Sequence, residues 1–255
     1  MVVSIITVVY NNVEHIRNSI ESVVSQNYPY IEYIVVDGGS ADGTIDIIKE
    51  YKDNISVFIS EEDNGIYDAL NKGIFHASGD VISILHSDDI FCDAYVVSDT
   101  IKKMDKQKAE FCFSDMVIVD NSSGEVLRYY MANYFKRWMF RIGWMPPHPT
   151  CFINKSLFDE FGMYSTEYKI AGDFDFFVRI FYGKSIRWAY LNRITVRMSH
   201  GGISNSGWQS KMLIFNEISR SLKTNNVWSL PIFYLARYAM RLMEIIVKPK
   251  NGGCD

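Results

Sequence analysis

Two kinds of segment alternate through the first half of the chain. Val2 to Val9 is β-branched and nearly unbroken in hydrophobicity, the pattern of a strand covered on both faces. Asn11 and Asn12 end it. Ile16, Ile20, Val23 and Val24 then share one helical face, and that helix stops before Pro29. A second buried strand, Ile31 to Val36, ends at Asp37 and leads into the turn GGSADGT. The same reading predicts a helix from Ile45 to Tyr51, a strand from Ser56 to Ile59 and a helix from Gly65 to Ala77. A strand from Val81 to Leu85, a helix from Ala94 to Met104 and a strand from Glu110 to Phe113 follow.

This alternation predicts an α/β fold with an open, mostly parallel sheet flanked by helices. Ligands of such sheets sit beyond the carboxyl ends of the strands. Tyr10, Asp37 and the pair Asp88–Asp89 all fall at or just past strand ends, so topology alone gathers them at one edge. The second half is less regular. Met116 to Val119 and Val126 to Tyr130 flank DNSSGE as a hairpin. Thr150 to Ile153 reads as a strand, Asp173 to Phe181 as a helix and Ile194 to Met198 as a strand. Two helical stretches, Trp208 to Leu222 and Leu230 to Val247, close the chain. The expected organisation is one domain over 1–205 and a helical extension over 206–255.

The 255 residues are about half apolar, enough for a sizeable core. The net charge of -4 argues against a nucleic-acid partner. The four cysteines form no CxxC pair and no zinc spacing, and read as reduced thiols. The N-terminus lacks a basic region before its apolar run, so it reads as a strand rather than a signal peptide. No apolar run is long enough to span a bilayer.

Four places carry candidate chemistry. In ILHSDDIF an aliphatic strand ends on His86, Ser87, Asp88 and Asp89. One of these acids could cap the following helix. Two adjacent acids suit a divalent cation such as Mg²⁺ or Mn²⁺, which shares its shell with a diphosphate. Asp37 either organises its turn through backbone N–H groups or accepts hydrogen bonds from a nucleoside. In KIAGDFDFFVRIF, Asp173 is either a helix cap or a general base held against an apolar wall, and Arg179 holds a phosphate or a structural partner. His148 lies in MPPHPT and His200 in SHGGIS, where His200 could ligate a metal or donate to a diphosphate.

The stretches VSIITVVYNN, VVDGGSADGT, DNGIYDALNKG, ILHSDD and IAGDFDFFVR, in this order, resemble the family 2 glycosyltransferases of GT-A fold. The form DNGIYDALNKG resembles the branch that builds bacterial O-antigens and related surface polysaccharides. The resemblance implies a UDP-sugar donor, with Val8, Val9, Tyr10 and Asp37 at the uracil and ribose. Thr7, Asp68, Lys72, His86 and Ser87 join the implied nucleotide-sugar contacts. The family often has Asp where this chain has His86. Many members have Arg where Leu70 stands, which leaves Lys72 as the implied cation for the phosphate. Asp88 corresponds to the metal-linked carboxylate, with Asp89 beside it and His200 as a further metal or diphosphate ligand. Asp173 falls at the general base, implying an inverting transfer.

The tail NVWSLPIFYLARYAMRLMEIIVKPK is apolar, aromatic and basic. It reads as a helix packed on the core or a second subunit, as in a homodimer, or as an in-plane helix on anionic lipid. The latter suits a polyprenyl-diphosphate-linked saccharide acceptor at the inner face of the bacterial inner membrane, with the protein otherwise cytoplasmic. Two other readings stand beside the transferase: a non-catalytic nucleotide-sugar binding protein, and a sugar-phosphate nucleotidyltransferase.

Overall fold

The computed structural model describes residues 1–120, 122–200, 207–233, 240, 242 and 244–247. Its sheet begins with four parallel strands: β1 (Val3–Val9), β2 (Ile31–Asp37), β3 (Val57–Ser60) and β4 (Val81–Ile84). They are joined by helices α1 (Ile16–Val24), α2 (Thr44–Glu50) and α3 (Ile66–His76). The register sets Val9 against Asp37, Asp37 against Ser60, and Ile6 against Ile84. The carboxyl ends of these strands therefore lie along one edge, as the alternation predicts.

The sheet continues through β5 (Asp89–Phe91), β6 (Phe111–Val119), β7 (Val126–Tyr130), β8 (Phe152–Asn154) and β9 (Trp188–Ser199). Strand order is β3-β2-β1-β4-β8-β6-β9-β5, with β7 on β6. Parallel pairing gives way to mixed pairing beyond β4, where β8 runs antiparallel to both β4 and β6. Helices α4 (Val96–Gln107), α5 (Lys155–Phe161), α6 (Gly172–Gly183) and α7 (Gly207–Thr224) complete the described elements.

Four local differences from the sequence expectation have physical causes. The two strands expected around Ser114–Asp115 are one strand, β6, because both polar residues are satisfied inside. Ser114 Oγ meets Thr195 Oγ1 at 2.5 Å, and Asp115 accepts from Tyr129, Tyr190 and the Ala132 N–H. Strand β9 extends well before Ile194, across a bulge opposite Ser114–Asp115. Helix α4 starts at Val96, so neither Asp88 nor Asp89 caps it, and Asp89 instead opens β5. Cys112 and Cys151 are free and buried, but Cys92 is disulfide-bonded, which corrects the expectation of four reduced thiols. Two expectations lie partly outside the described residues: the helix from Leu230 to Val247 and the SHGGIS stretch after His200.

Apolar side chains cover both faces of the sheet. On one face α6 contributes Phe174, Phe176, Phe177 and Phe181, all buried. Phe177 and Phe181 meet Phe111 edge-on at 5.1 and 5.2 Å. Each buried ring stabilises the fold by roughly 1.5–3 kcal/mol. Helix α7 packs on α6 and buries Ile214, Ile218 and Leu222 in the same layer. Asp175 ties the two together, accepting from Ser221 and Asn225 while pairing with Arg179 at 3.0 Å. Arg179 also donates to the carbonyls of Phe161, Gly162 and Met163, closing the end of α5. It is a structural cation.

Candidate active site

The edge begins with the turn after β1. Asn11 takes a left-handed conformation, φ +45°. Its N–H donates to Ser40 Oγ and its side chain accepts from the Ala41 N–H. Asn12 donates through Nδ2 to Ser87 Oγ at 2.8 Å. The Asn-Asn pair thus locks the β1, β2 and β4 strand ends together, a role the sequence reading missed. Thr7 is fully buried and bonds Tyr33 through its hydroxyl, and Val8 and Val9 are buried too. Tyr10 is 65% exposed and presents a ring at the edge. Gly38 lies between that ring and Asp63. A Cβ at Gly38 would clash with the Asp63 carboxyl and touch the Tyr10 ring, so glycine is what lets Asp63 pack this closely.

Asp37 has no exposed surface. Its carboxylate accepts from the N–H groups of Gly39 and Ser40 and from Ser60 Oγ. It organises the turn that carries Gly38 and Gly39. Asp68 and Lys72 line a different recess, along α3 with Ile59, Phe75 and His76. Lys72 sits 2.9 Å from Glu61 and 3.7 Å from Asp68, so its charge is already offset.

Beyond β4, His86 and Asp88 are half-buried, and Ser87 is buried on Asn12. Burial lowers the His86 pKa, with the nearby Asp88 charge opposing. Asp89 has no exposed surface and its carboxyl oxygens find no hydrogen-bond partner. Burial first, and the Asp88 charge second, push its pKa well up. Asp88 stands half-buried in the turn just before β5, whereas Asp89 opens the strand and lies wholly in the interior. Strand β9 runs antiparallel to β5, with Met198 opposite Asp89. Ser199 Oγ donates to the Asp88 carbonyl at 2.7 Å, and the next residue, His200, is exposed. The sheet thus brings the His200 segment alongside Asp88, 112 residues away in sequence.

The donors available to a divalent cation at this edge are half-buried Asp88, buried Asp89 with its unpartnered oxygens, and exposed His200 just past β9, with substrate oxygens left to complete the shell. Among the described residues no three His, Cys, Asp or Glu side chains assemble into a closed site.

Asp173 lies in the first turn of α6 and accepts from the Phe174 N–H. It lines a cavity of about 170 Å³ with Trp144, Tyr130, Phe174 and Met198. Met198, one of its lining residues, is the strand partner of Asp89. The turn carrying Asp173 is held from two sides. On α3, Tyr67 donates to the Ile170 carbonyl at 2.6 Å, with Asp173 Oδ1 3.3 Å away. Asn71 bonds both the N–H and the carbonyl of Tyr164. Gly172 is required by this contact, because a Cβ there would meet the Tyr67 ring at 2.8 Å. On α7, buried Glu217 accepts the N–H groups of Lys169, Ile170 and Ala171 at 2.8–2.9 Å. No local motif announces Glu217. Its partners lie 46 to 48 residues earlier.

His148 is buried between these groups. It shares a 2.9 Å hydrogen bond with Tyr164, faces Phe177, and lies 6.0 Å, ring to ring, from His86. Burial, with some help from His86, lowers its pKa to about 3. An unfolded histidine titrates near 6.5, so the folded pKa is the lower one. The stability this gives is present above pH 6.5 and is lost as pH falls from there toward 3. The loss is about 1.4 kcal/mol per pH unit, or roughly 2 kcal/mol by pH 5. His86 acts in the same direction and Asp89 in the opposite one, so the comparison must be with a variant. His148→Gln should flatten the fall in urea midpoint between pH 7 and pH 5. An unchanged slope would show that His148 does not carry it.

The family model for glycosyl transferase family 2 matches residues 4–163. An uncharacterised glycosyltransferase of Mycobacterium tuberculosis is 32% identical over 186 residues, covering 69% of this chain and 68% of that protein. A PGL/p-HBAD biosynthesis glycosyltransferase of Mycobacterium bovis is 26% identical over 196 residues, covering 73% of each. Among solved structures, S. aureus TarS 1–349 in complex with UDP-GlcNAc aligns with TM-score 0.70 at 18% identity. That alignment covers 87% of this chain and 66% of the TarS chain. The mannosyltransferase PcManGT of Pyrobaculum calidifontis, in complex with GDP-Man and Mn²⁺, aligns with TM-score 0.60 at 16% identity, over 97% of this chain and 81% of that one. The fold is thus that of the GT-A transferases.

Proposed function

The chain belongs to glycosyl transferase family 2, and on that premise we propose that it moves a sugar from a UDP-sugar to a hydroxyl of a lipid-diphosphate-linked saccharide, with inversion. The observation that carries this reading is the cavity that sets Asp173 beside Met198, the strand partner of Asp89. The nucleoside takes a slot on the outer side of the exposed Tyr10 ring, beside Gly38 and Asp63, its base stacking on that ring. The diphosphate then lies toward Asp88 and His200. Asp88, with His200 and with Asp89 behind, would hold Mn²⁺ or Mg²⁺. When bound, such an ion offsets the negative charge left on the departing UDP.

Asp173 is the general base. It takes the proton of the acceptor hydroxyl as that oxygen attacks C1 opposite the leaving diphosphate. One base and one in-line step invert the anomeric centre, so an α-linked donor gives a β-glycoside. Tyr67 and Glu217 hold the base turn in place. Among the described residues no helix is long and apolar enough to cross a membrane. Leu242, Ile245 and Ile246 are exposed, which supports a 206–255 extension that rests on the lipid carrying the acceptor.

The test is a donor screen with a synthetic lipid-diphosphate sugar in anionic vesicles, followed by UDP release and product anomer. UDP-galactose, UDP-glucose and UDP-N-acetylglucosamine are run against GDP-mannose, with and without Mn²⁺. Turnover of one UDP-sugar into a β-linked product is expected. Turnover of GDP-mannose alone, or a retained anomer, overturns the donor or the mechanism respectively.

A further inference from the structure

One feature of the Asp173 cavity is not used by that mechanism. Arg128 is the one cation among its described lining residues, and it is paired with Glu244, which is buried. Nε and Nη2 of Arg128 both meet Glu244 Oε2. The guanidinium also lies 5.0 Å over the Tyr130 ring, whose hydroxyl donates to the Met145 carbonyl. A buried ion pair of this kind is weak support for stability, because both charges are desolvated. Its position is informative. It shares one small cavity with the proposed base. Its acid comes from a C-terminal helical stretch in which Met240 packs half-buried on the core while Leu242, Ile245, Ile246 and Val247 are exposed and apolar.

We propose that Arg128 is the anchor for an acidic group of the acceptor, and that Glu244 occupies its place until the acceptor arrives. This rests on the reading of Asp173 as the base of a sugar transfer. An acidic amphiphile satisfies all three features of the site. Its anionic group replaces the Glu244 carboxylate on Arg128, its hydroxyl faces Asp173, and its apolar chain leaves along Leu242, Ile245 and Ile246. The anion is a phosphate of a lipid diphosphate or a carboxylate of an acidic sugar. Both offer oxygens to the planar guanidinium. An acceptor without an anion cannot displace Glu244, so the pair also selects against neutral lipids and sugars.

The experiment titrates the full chain with geranyl diphosphate, decyl glucuronide and decyl glucoside by calorimetry. It compares the wild type with Glu244→Gln and with the charge-neutral double variant Arg128→Met/Glu244→Met. UDP is titrated into every sample. Glu244→Gln should bind an acidic probe about tenfold more tightly than the wild type, because one charge-assisted competitor is gone. The double variant should lose that binding while keeping its UDP affinity, which shows that it is folded. The pattern with geranyl diphosphate assigns a phosphate, and the pattern with the glucuronide alone assigns a carboxylate. Equal affinity for the neutral glucoside, or wild-type affinity in the double variant, overturns the proposal. A wild type that binds an acidic probe but not UDP counts against the donor reading, not against Arg128.

Discussion

Asp173→Asn is expected to bind UDP as the wild type does and to lose sugar transfer by about two to four orders of magnitude. Asparagine has nearly the same shape, and its amide oxygen still accepts the Phe174 N–H that the carboxylate accepts now. The turn is otherwise held by Tyr67 and Glu217, which the substitution leaves alone. What disappears is the ability to take a proton from the attacking hydroxyl. The proposed nucleotide slot is built from other residues, Tyr10, Gly38 and Asp63, so UDP affinity has no reason to move. A variant that turns over at the wild-type rate would remove Asp173 from the chemistry. One that loses UDP binding as well would point to a folding defect.

Glu217→Ala is the second large effect. The substitution strands three backbone N–H groups in a turn that runs from exposed Lys169 to buried Ala171. Each unsatisfied group costs about 1–3 kcal/mol, partly recovered where water reaches it. A destabilisation of roughly 3–5 kcal/mol is expected from the urea midpoint. Below its unfolding temperature the variant should also be slow. Ala171 stands two residues before Asp173, and a base displaced by about 1 Å loses on the order of a hundredfold in rate. The loss should fall on kcat, with KM for the UDP-sugar nearly unchanged. Glu217→Gln keeps one acceptor oxygen and should fall between the two. If kcat holds while stability drops, Glu217 is only scaffold. A rise in donor KM would place it on the wrong substrate.

The parallel half of the sheet was legible because its strands are apolar on both faces and stop abruptly at polar turns. That pattern put Tyr10, Asp37 and Asp88 on one edge before any coordinates. Which of Asp88 and Asp89 is buried shows only once Asp89 is known to open β5 and Asp88 to stand in the turn before it, rather than at a helix start. Pairing with β9 creates β5, and that partner lies over a hundred residues away. Asp37 carried two meanings in sequence. Its three protein donors show that it builds the turn. Arg179 likewise resolves into a clamp on the end of α5.

Glu217, Tyr67 and Arg128 could not be read in advance. A buried carboxylate that accepts backbone N–H groups has no spacing rule, because its partners are set by how α7 packs on α6. Tyr67 stands on α3 without a motif of its own, and only the approach of Gly172 shows what its hydroxyl does. Arg128 belongs to no motif, and its meaning depends on Glu244 more than a hundred residues later. The chemistry of the edge follows from strand ends. The chemistry of the base follows from tertiary contacts.

A crystal structure of this chain with UDP and Mn²⁺ puts that arrangement to its most direct test. The base should stack on Tyr10 and the ion should lie on Asp88 between the two phosphates. The Asp173 carboxylate should open toward the terminal phosphate across a space the size of one sugar. A nucleotide bound elsewhere, or an Asp173 screened from it by protein, would contradict the account.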